Sequence, residues 1–366
     1  LIWFPTGGGK TEAYLGLSAY TIFVRRLLNK DDAGTSIFMR YTLRLLTAQQ
    51  FERASAMICA CDVIRKEKED ILGNQRITIG LWVGEHSSYN KMGDAVSDIK
   101  KMYSGNQENH KFLILKCPWC GAPMGKNHQH EIRKPVTGYE IIGKGASAKA
   151  IFQCSNSECA FSKQDNYLPL TVVDEEIYEN PPTLLIGTVD KFAILPFKPQ
   201  ARSIFGKGTK FNPPDLIIQD ELHLISGPLG SMVGCYETMI NELCVTKNNK
   251  GKLIEPKIIA STATISKAKE QCRALYNAQN DHVNQFPPSG LDAKDSFFAY
   301  EDNNITGRLY VGIFAPAASS SATANIRLFA ALLYAAKALK CPLEEADPYW
   351  TNMGYFNNLK DLGQAV

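Results

Sequence analysis

Short apolar runs alternate with helical patterns along most of the chain. The runs that predict strands are residues 1–4, 35–41, 77–83, 183–188, 216–220 and 257–262. Turn residues or an amphipathic pattern follow each run, and the first predicted helix covers residues 10–29. Compact apolar strands that alternate with helices are typical of a parallel sheet covered by helices on both faces. The sequence therefore predicts an α/β fold.

Two segments break this alternation. Residues 106–168 are rich in Lys, Gly, Asn and Cys and lack helical periodicity, which indicates an insertion. A Pro-Pro-Ser-Gly turn at residues 287–290 marks the second break. Beyond it we expect a strand at 309–314 and an Ala-rich helix at 322–339. The predicted organisation is a first lobe at 1–285, which carries the insertion, and the start of a second α/β lobe at 286–366.

A glycine-rich segment joins the first predicted strand to the first predicted helix. It consists of Gly7, Gly8, Gly9, Lys10 and Thr11. Glycines let consecutive backbone N–H groups converge on a phosphate at a helix N-terminus, where the lysine reaches the terminal phosphates and the hydroxyl can bind Mg²⁺. The usual first glycine of this pattern is a phenylalanine here. The sequence predicts an ATP–Mg²⁺ site, with a plain helix-capping turn as the alternative.

Two adjacent acids follow the apolar run 216–218. We expect Asp220 to hold Mg²⁺ through water and Glu221 to be the general base that orients the attacking water. His223 would then connect the γ-phosphate to the nucleic-acid side. The alternatives are an ordinary exposed strand end for the acids and simple packing for His223.

Small hydroxyl residues follow the strand predicted at 257–262. Ser261, Thr262 and Thr264 can hydrogen-bond across to the acidic segment, because the carboxyl ends of parallel strands share one edge of a sheet. Taken alone, such a segment is often only a helix N-cap. Their order and spacing after Asp220 favour a role in coupling.

Basic and hydroxyl residues at two strand-to-helix junctions are candidates for nucleic-acid binding. The chain has 40 Lys+Arg against 37 Asp+Glu, so a polyanion would need a local groove rather than a generally basic surface. Phosphate contacts from such junctions hold a strand without reading its sequence. The alternatives are a solvated helix face and an ordinary cap. The candidate residues are Arg40, Thr42, Arg44, Thr188 and Lys191.

Four of the 10 cysteines have the spacing of metal ligands. Cys117 and Cys120 form one close pair, and Cys154 and Cys159 form a second. Two such pairs fit a tetrahedral structural Zn²⁺ site, and nothing indicates the open position that a catalytic zinc needs. His128 and His130 lie between the pairs, in a pattern more typical of a surface. We expect the zinc to stabilise the insertion, which has little core of its own.

The motifs at 4–11, 220–223 and 261–264 resemble motifs I, II and III of DExH-type superfamily 2 helicases. The stretches 39–44, 47–50 and 188–191 are similar to the motifs that lie between them. The long acidic motif at 218–230, with 347–350 and 354–357, resembles DISARM-type (DrmA-like) phage-defence helicases. This resemblance implies RecA-like lobes, ATP hydrolysis in their cleft, a bound nucleic acid with DNA favoured over RNA, and a companion defence protein.

Other classes of function stay open. A P-loop kinase would need an acceptor pocket, and a scaffold would use the bound ATP only to organise a protein complex. No apolar stretch approaches the roughly 18 residues that span a bilayer. We therefore expect a cytoplasmic protein without membrane contact. The resemblance also implies that the arginine fingers and the adenine-reading element lie outside residues 1–366.

Overall fold

A computed structural model gives the fold. It describes the chain apart from residues 4–8, 43, 85–87, 105–110, 127–135, 248–249, 263–266, 279–281, 289–290, 293–294, 296–299, 303, 305–306, 308, 339–341, 357 and 366. The chain divides into two compact units, residues 1–301 and residues 302–366.

The apolar runs form strands, and further short strands lie between them. The described strands are β1 (Ile2–Trp3), β2 (Ile37–Tyr41), β3 (Ile79–Trp82), β4 (Gly125–Lys126), β5 (Val136–Thr137), β6 (Tyr139–Ile142), β7 (Lys149–Phe152), β8 (Leu170–Thr171), β9 (Leu184–Thr188), β10 (Leu216–Gln219), β11 (Thr246–Lys247), β12 (Leu253–Ile254) and β13 (Lys257–Thr262).

The helices fill most of the connections between these strands. The described α-helices are α1 (Lys10–Leu28), α2 (Arg44–Glu67), α3 (Glu69–Leu72), α4 (Met92–Tyr103), α5 (Asp174–Glu179), α6 (Gly227–Cys244), α7 (Ala268–Tyr276), α8 (Ser321–Ala338), α9 (Leu343–Ala346) and α10 (Leu359–Ala365). The 3-10 helices are Gly145–Ser147, Val189–Phe197, Pro199–Phe205, Leu222–Leu224 and Asp347–Tyr349.

Seven parallel strands form the central sheet of the first unit, in the order β1-β13-β10-β2-β9-β3-β8. The predicted α/β fold with a parallel sheet is confirmed. The short edge strand β8 was not predicted, since two residues are too few to give an apolar run. Because all seven strands run the same way, their carboxyl ends lie along one edge of the sheet.

Side chains alternate between the two faces of this sheet, as the pleat requires. In β2, Ile37, Met39 and Tyr41 join a core that also contains buried residues of α1 and α2. Phe38 joins a separate core on the opposite face, which also contains Ile240 of α6. Helices therefore cover both faces, and the parity of a position decides which face its side chain joins.

The predicted insertion is part of the first unit and packs against the central sheet. It contains two antiparallel hairpins, β4–β5 and β6–β7. Phe112, Tyr139, Phe152 and Phe161 are buried in the same core as the β2 residues Ile37, Met39 and Tyr41. The insertion and the central sheet thus share one hydrophobic core.

The second unit is mainly helical in its described part. The Ala-rich pattern at 322–339 forms α8, but residues 309–314 form no strand, which corrects that prediction. Leu309 and Phe314 are exposed, and a strand needs a hydrogen-bonded neighbour. The second RecA-like lobe and the boundaries at 285, 106 and 168 stay predictions. None of the described helices has the length and apolar composition that a bilayer crossing requires.

Candidate functional site

The predicted phosphate, acidic and hydroxyl segments meet at the carboxyl edge of the sheet. Asp220 follows β10 directly, Ser261 and Thr262 end β13, and α1 begins at Lys10. In the parallel register, Gln219 pairs with the residue before Ser261, and β1 pairs with Ser261 and Thr262 themselves. The three segments are therefore neighbours in space, as their order along the strands predicts.

Lys10 lies at the first position of α1, where the helix dipole favours negative charge. Gly9 caps the helix with a φ of 78°, a left-handed conformation that glycine adopts without strain. The Lys10 ammonium group donates to the Thr262 carbonyl oxygen over 3.2 Å. Lys10 of the predicted phosphate site thus contacts the end of β13. Gly7 and Gly8 lie outside the described residues.

Asp220 is nearly buried, and neutral groups hold both of its carboxylate oxygens. The Tyr14 hydroxyl donates to Oδ2 over 2.8 Å, and the Glu221 backbone N–H donates to Oδ1 over 2.9 Å. The Tyr14 hydroxyl also lies 3.0 Å from the Thr11 hydroxyl. Among the described residues, no ion pair includes Asp220. A buried carboxylate without a cation is costly, so this one is suited to a metal ion.

Glu221 adopts a left-handed backbone conformation, with φ 51° and ψ 46°. This is unusual for a residue with a side chain and is characteristic of constrained functional sites. Its carboxylate lies 3.3 Å from Nδ1 of His223, and the same nitrogen lies 3.5 Å from the Thr262 hydroxyl. His223 therefore sits between the proposed base and the segment proposed for coupling.

The hydroxyl segment is deeply buried at its described positions. Ser261 and Thr262 are fully buried, and the Ser261 hydroxyl has no hydrogen-bond partner among the described residues. A buried hydroxyl in that state can accept a new partner when its surroundings rearrange. Thr264 lies outside the described residues.

Sequence reasoning missed two residues that organise this edge. Tyr14 lies one helical turn after Thr11, and the available signal was its helical spacing with Ser18 and Ile22, which are buried on the same side of α1. The Gln271 amide of α7 donates to the carbonyl oxygens of Leu222 and Ile225, over 3.1 Å and 2.6 Å. That contact joins segments almost fifty residues apart, and no local pattern reveals it.

Two of the predicted nucleic-acid ligands are buried in internal ion pairs. Arg40 is 1% exposed and lies 2.5 Å from the Glu237 carboxylate. The Lys191 ammonium group donates to Asp174 over 2.6 Å and to the Val83 carbonyl oxygen over 3.0 Å. In this conformation neither side chain can contact a phosphate, which corrects the prediction for both.

The structure does not test the other three residues predicted to contact nucleic acid. The Thr188 side chain is fully buried, and its hydroxyl has no partner among the described residues. Thr42 is half-buried beyond the end of β2. Arg44 begins α2, and its side chain lies outside the described part of the chain. A role of Thr42, Thr188 and Arg44 in nucleic-acid binding stays a prediction.

The four predicted zinc ligands come together. Their sulfur atoms all lie within 4.8 Å of one another, with 3.9 Å between Cys117 and Cys159 and 3.4 Å between Cys120 and Cys154. Tetrahedral zinc at about 2.3 Å from each sulfur requires sulfur–sulfur distances of about 3.8 Å. The cluster can therefore hold one such ion. His128 and His130 lie outside the described residues.

Backbone hydrogen bonds shape the first cysteine pair of this cluster. The Cys117 N–H donates to the Ala122 carbonyl oxygen over 2.8 Å, and the Gly121 N–H donates to the Cys117 carbonyl oxygen over 2.8 Å. In the second pair, the Phe161 N–H donates to the Cys159 sulfur over 3.5 Å, a contact that favours a thiolate. These backbone hydrogen bonds thus help to aim both pairs at one point.

Comparison with known proteins identifies one close relative. The chain is 38% identical, over 416 aligned residues that include all of this chain, to the DISARM protein DrmA of Bacillus paralicheniformis. It spans 35% of the length of that protein. No family model matches the chain.

Solved structures give only a distant likeness. Two structures of the DUF1998 helicase MrfA, one of them bound to DNA, align with 71% of this chain. Their identities are 14% and 15%, their TM-scores are 0.26 and 0.25, and the alignments cover 24% and 28% of those chains. Values this low carry no argument about this chain.

Proposed function

Since this chain is a relative of the DISARM protein DrmA, we propose that it supplies the ATP-hydrolysing lobe of a helicase or translocase that acts on DNA in antiviral defence. One observation carries the proposal. Lys10, Thr11, Asp220, Glu221 and Thr262 converge on one edge of a parallel sheet, in contacts of 2.8–3.5 Å that run from one segment to the next.

The residues present fit ATP with Mg²⁺. Oxygen ligands suit this ion, and the Thr11 hydroxyl and the Asp220 carboxylate are both held by the one hydroxyl of Tyr14. Asp220 has no cationic partner among the described side chains, so its charge is available to a metal. When bound, the ion would neutralise charge that develops on the phosphates.

Lys10 would bind the terminal phosphates. Its ammonium group now donates to a backbone carbonyl oxygen, a neutral acceptor that an anionic phosphate can replace with a stronger hydrogen bond. The position at the start of α1 adds the favourable end of the helix dipole. Phosphate binding would also affect Thr262, because Lys10 would release the Thr262 carbonyl oxygen when it turns to the phosphate.

Glu221 would accept a proton from the attacking water. Its carboxylate is 30% exposed, so water can reach it, and its left-handed backbone fixes where it points. His223 contacts both Glu221 and Thr262, and would pass a change at the phosphate to the end of β13. Ser261 and Thr264 would belong to the same coupling segment.

Nucleic acid would lie along the same carboxyl edge, with Thr42 and Arg44 as the proposed contacts, and with Thr188 if a rearrangement exposes its buried side chain. The motif resemblance leads us to propose DNA as the nucleic acid, a companion defence protein as a partner and the cytoplasm as the setting. A second RecA-like lobe that begins within residues 286–366 is also part of this proposal. The four cysteines would hold a structural zinc ion that keeps the insertion folded.

The test uses the full-length protein and measures ATP hydrolysis with and without single-stranded DNA or RNA. We expect DNA to stimulate turnover. Glu221→Gln should still bind ATP but turn it over about 100- to 10,000-fold more slowly, as expected when a general base is lost. Glu242→Gln, which changes an exposed acid of α6, is the matched control and should match the wild type.

Three results would contradict this proposal. They are ATP turnover that neither polymer stimulates, full turnover by Glu221→Gln, and the appearance of a phosphorylated product in place of free phosphate. The last result would indicate a kinase. Unchanged phage defence in a Lys10→Ala strain would instead indicate a scaffold.

A further inference from the structure

Tyr14 occupies a central position that the motif pattern does not assign. It lies in the second turn of α1, on the side packed against the sheet, and its side chain is 1% exposed. The ring packs in the main core of the first unit. Only its hydroxyl is needed for the contacts described below, so the ring and the hydroxyl can be tested separately.

The hydroxyl of Tyr14 joins the two side chains proposed for Mg²⁺. It lies 2.8 Å from Oδ2 of Asp220 and 3.0 Å from the Thr11 hydroxyl. A tyrosine has one proton to donate, and the carboxylate is an acceptor only. Tyr14 therefore donates to Asp220, and Thr11 donates to Tyr14.

Tyr14 is one of two donors that hold the Asp220 carboxylate. Together with the Glu221 N–H on Oδ1, it fixes the orientation of the Asp220 carboxylate before any ligand arrives.

We propose that Tyr14 is a positioning residue for the Mg²⁺ of the ATP complex, which it serves by holding Asp220 and Thr11 at a fixed spacing through its hydroxyl. This inference rests on the proposed function and adds a residue to it. The physical reason is preorganisation, since a metal binds more tightly when its ligands need no reorientation. Tyr14 itself would not touch the ion.

The test is the Mg²⁺ dependence of ATP binding and turnover in full-length Tyr14→Phe. Phenylalanine keeps the buried ring and removes only the hydroxyl. We expect the Mg²⁺ concentration for half-maximal turnover to rise about 10- to 100-fold, the range typical when an outer-shell partner of a metal ligand is lost. Turnover at saturating Mg²⁺ should stay within a few-fold of the wild type, because the bound ion restores the geometry.

Tyr89→Phe is the matched control. Tyr89 is also buried, and its hydroxyl donates to Asp98 over 3.0 Å, away from the carboxyl edge. This variant loses a tyrosine–aspartate hydrogen bond of similar length, so any general effect on stability should be similar. Its Mg²⁺ dependence should equal that of the wild type.

Binding of ATP in EDTA separates the possible outcomes. If Tyr14→Phe binds ATP normally in EDTA and needs more Mg²⁺ for turnover, the inference is supported. If its Mg²⁺ dependence is unchanged, or if it loses binding in EDTA as well, Tyr14 has no specific role at the metal and the inference fails. If the wild-type protein does not bind ATP at all, the proposed function fails first.

Discussion

Asp220 and Asp174 are both buried aspartates, yet the protein treats their charges differently. Asp174 starts α5 and pairs with the buried ammonium group of Lys191 at 2.6 Å. Among the described residues, the Asp220 carboxylate receives hydrogen bonds from the Tyr14 hydroxyl and the Glu221 N–H, and no ion pair includes it. Lys191 compensates the charge of Asp174, whereas no cation among the described residues pairs with Asp220.

The presence or absence of a cationic partner distinguishes acids with a structural role from acids that can bind a metal ion. A buried carboxylate with a cation has little affinity left for a second one, because its charge is already compensated. A buried carboxylate held by neutral groups is oriented but not compensated. Arg40 and Glu237 belong to the first kind. The four cysteines of the cluster resemble the second kind in one respect, since their sulfur atoms lie within 4.8 Å of one another and could hold one metal ion.

The cysteine cluster should show the largest effect. Removing zinc with a chelator should unfold the insertion, because structural zinc contributes about 10–16 kcal/mol to folding in zinc-finger peptides. Hydrogen exchange of the amides in 136–168 measures this loss, and metal analysis should find one zinc ion per chain. Cys117→Ser should act like the chelator, while Cys235→Ser, at an exposed cysteine outside the cluster, should not. Exchange unaffected by the chelator would exclude a structural zinc ion.

Breaking the internal ion pair should have the next largest effect. Lys191→Met should lower the free energy of unfolding by about 3–5 kcal/mol, because it leaves Asp174 buried and uncompensated. Chemical denaturation measures the change. Lys198→Met, at an exposed lysine near the same helix, should change stability by less than about 0.5 kcal/mol.

A double variant sharpens this test. Adding Asp174→Asn to Lys191→Met removes the uncompensated charge and should restore part of the lost stability. If the double variant is no more stable than Lys191→Met, the loss comes from packing of the lysine stem rather than from charge.

Asp220→Asn should have the smallest effect on stability. We expect the free energy of unfolding to change by less than about 1 kcal/mol, because the substitution removes an uncompensated charge and keeps an acceptor for Tyr14 or Glu221. Mg²⁺-dependent ATP binding should be lost in the same variant. Calorimetry measures both. A loss of stability as large as that of Lys191→Met would mean that Asp220 has a cationic partner in solution.

The sequence predicted the parallel sheet and the three segments at its carboxyl edge because both depend on local patterns. An apolar run ends, and the polar residues that follow lie at the edge of the sheet. The same local reasoning failed for Arg40. Its charge and its position at a strand end suggested a surface contact, but it shares its parity with Phe38 and so faces the core that contains Phe192.

Other features could not be predicted because they depend on contacts between distant segments. The pairing of Lys191 with Asp174 joins a 3-10 helix to α5. The contact of Gln271 with Leu222 and Ile225 joins α7 to the acidic loop. Spacing alone identified the four cysteines, since close pairs of thiols have few other uses.

Gln271 gives the acidic loop a mechanical connection. Its one amide group holds two carbonyl oxygens on either side of His223. A displacement of this loop would therefore strain these hydrogen bonds or move α7 with it. Cys272 and Leu275 of α7 pack with Val233 of α6. A movement of α7 would therefore be transmitted from the acidic loop to α6.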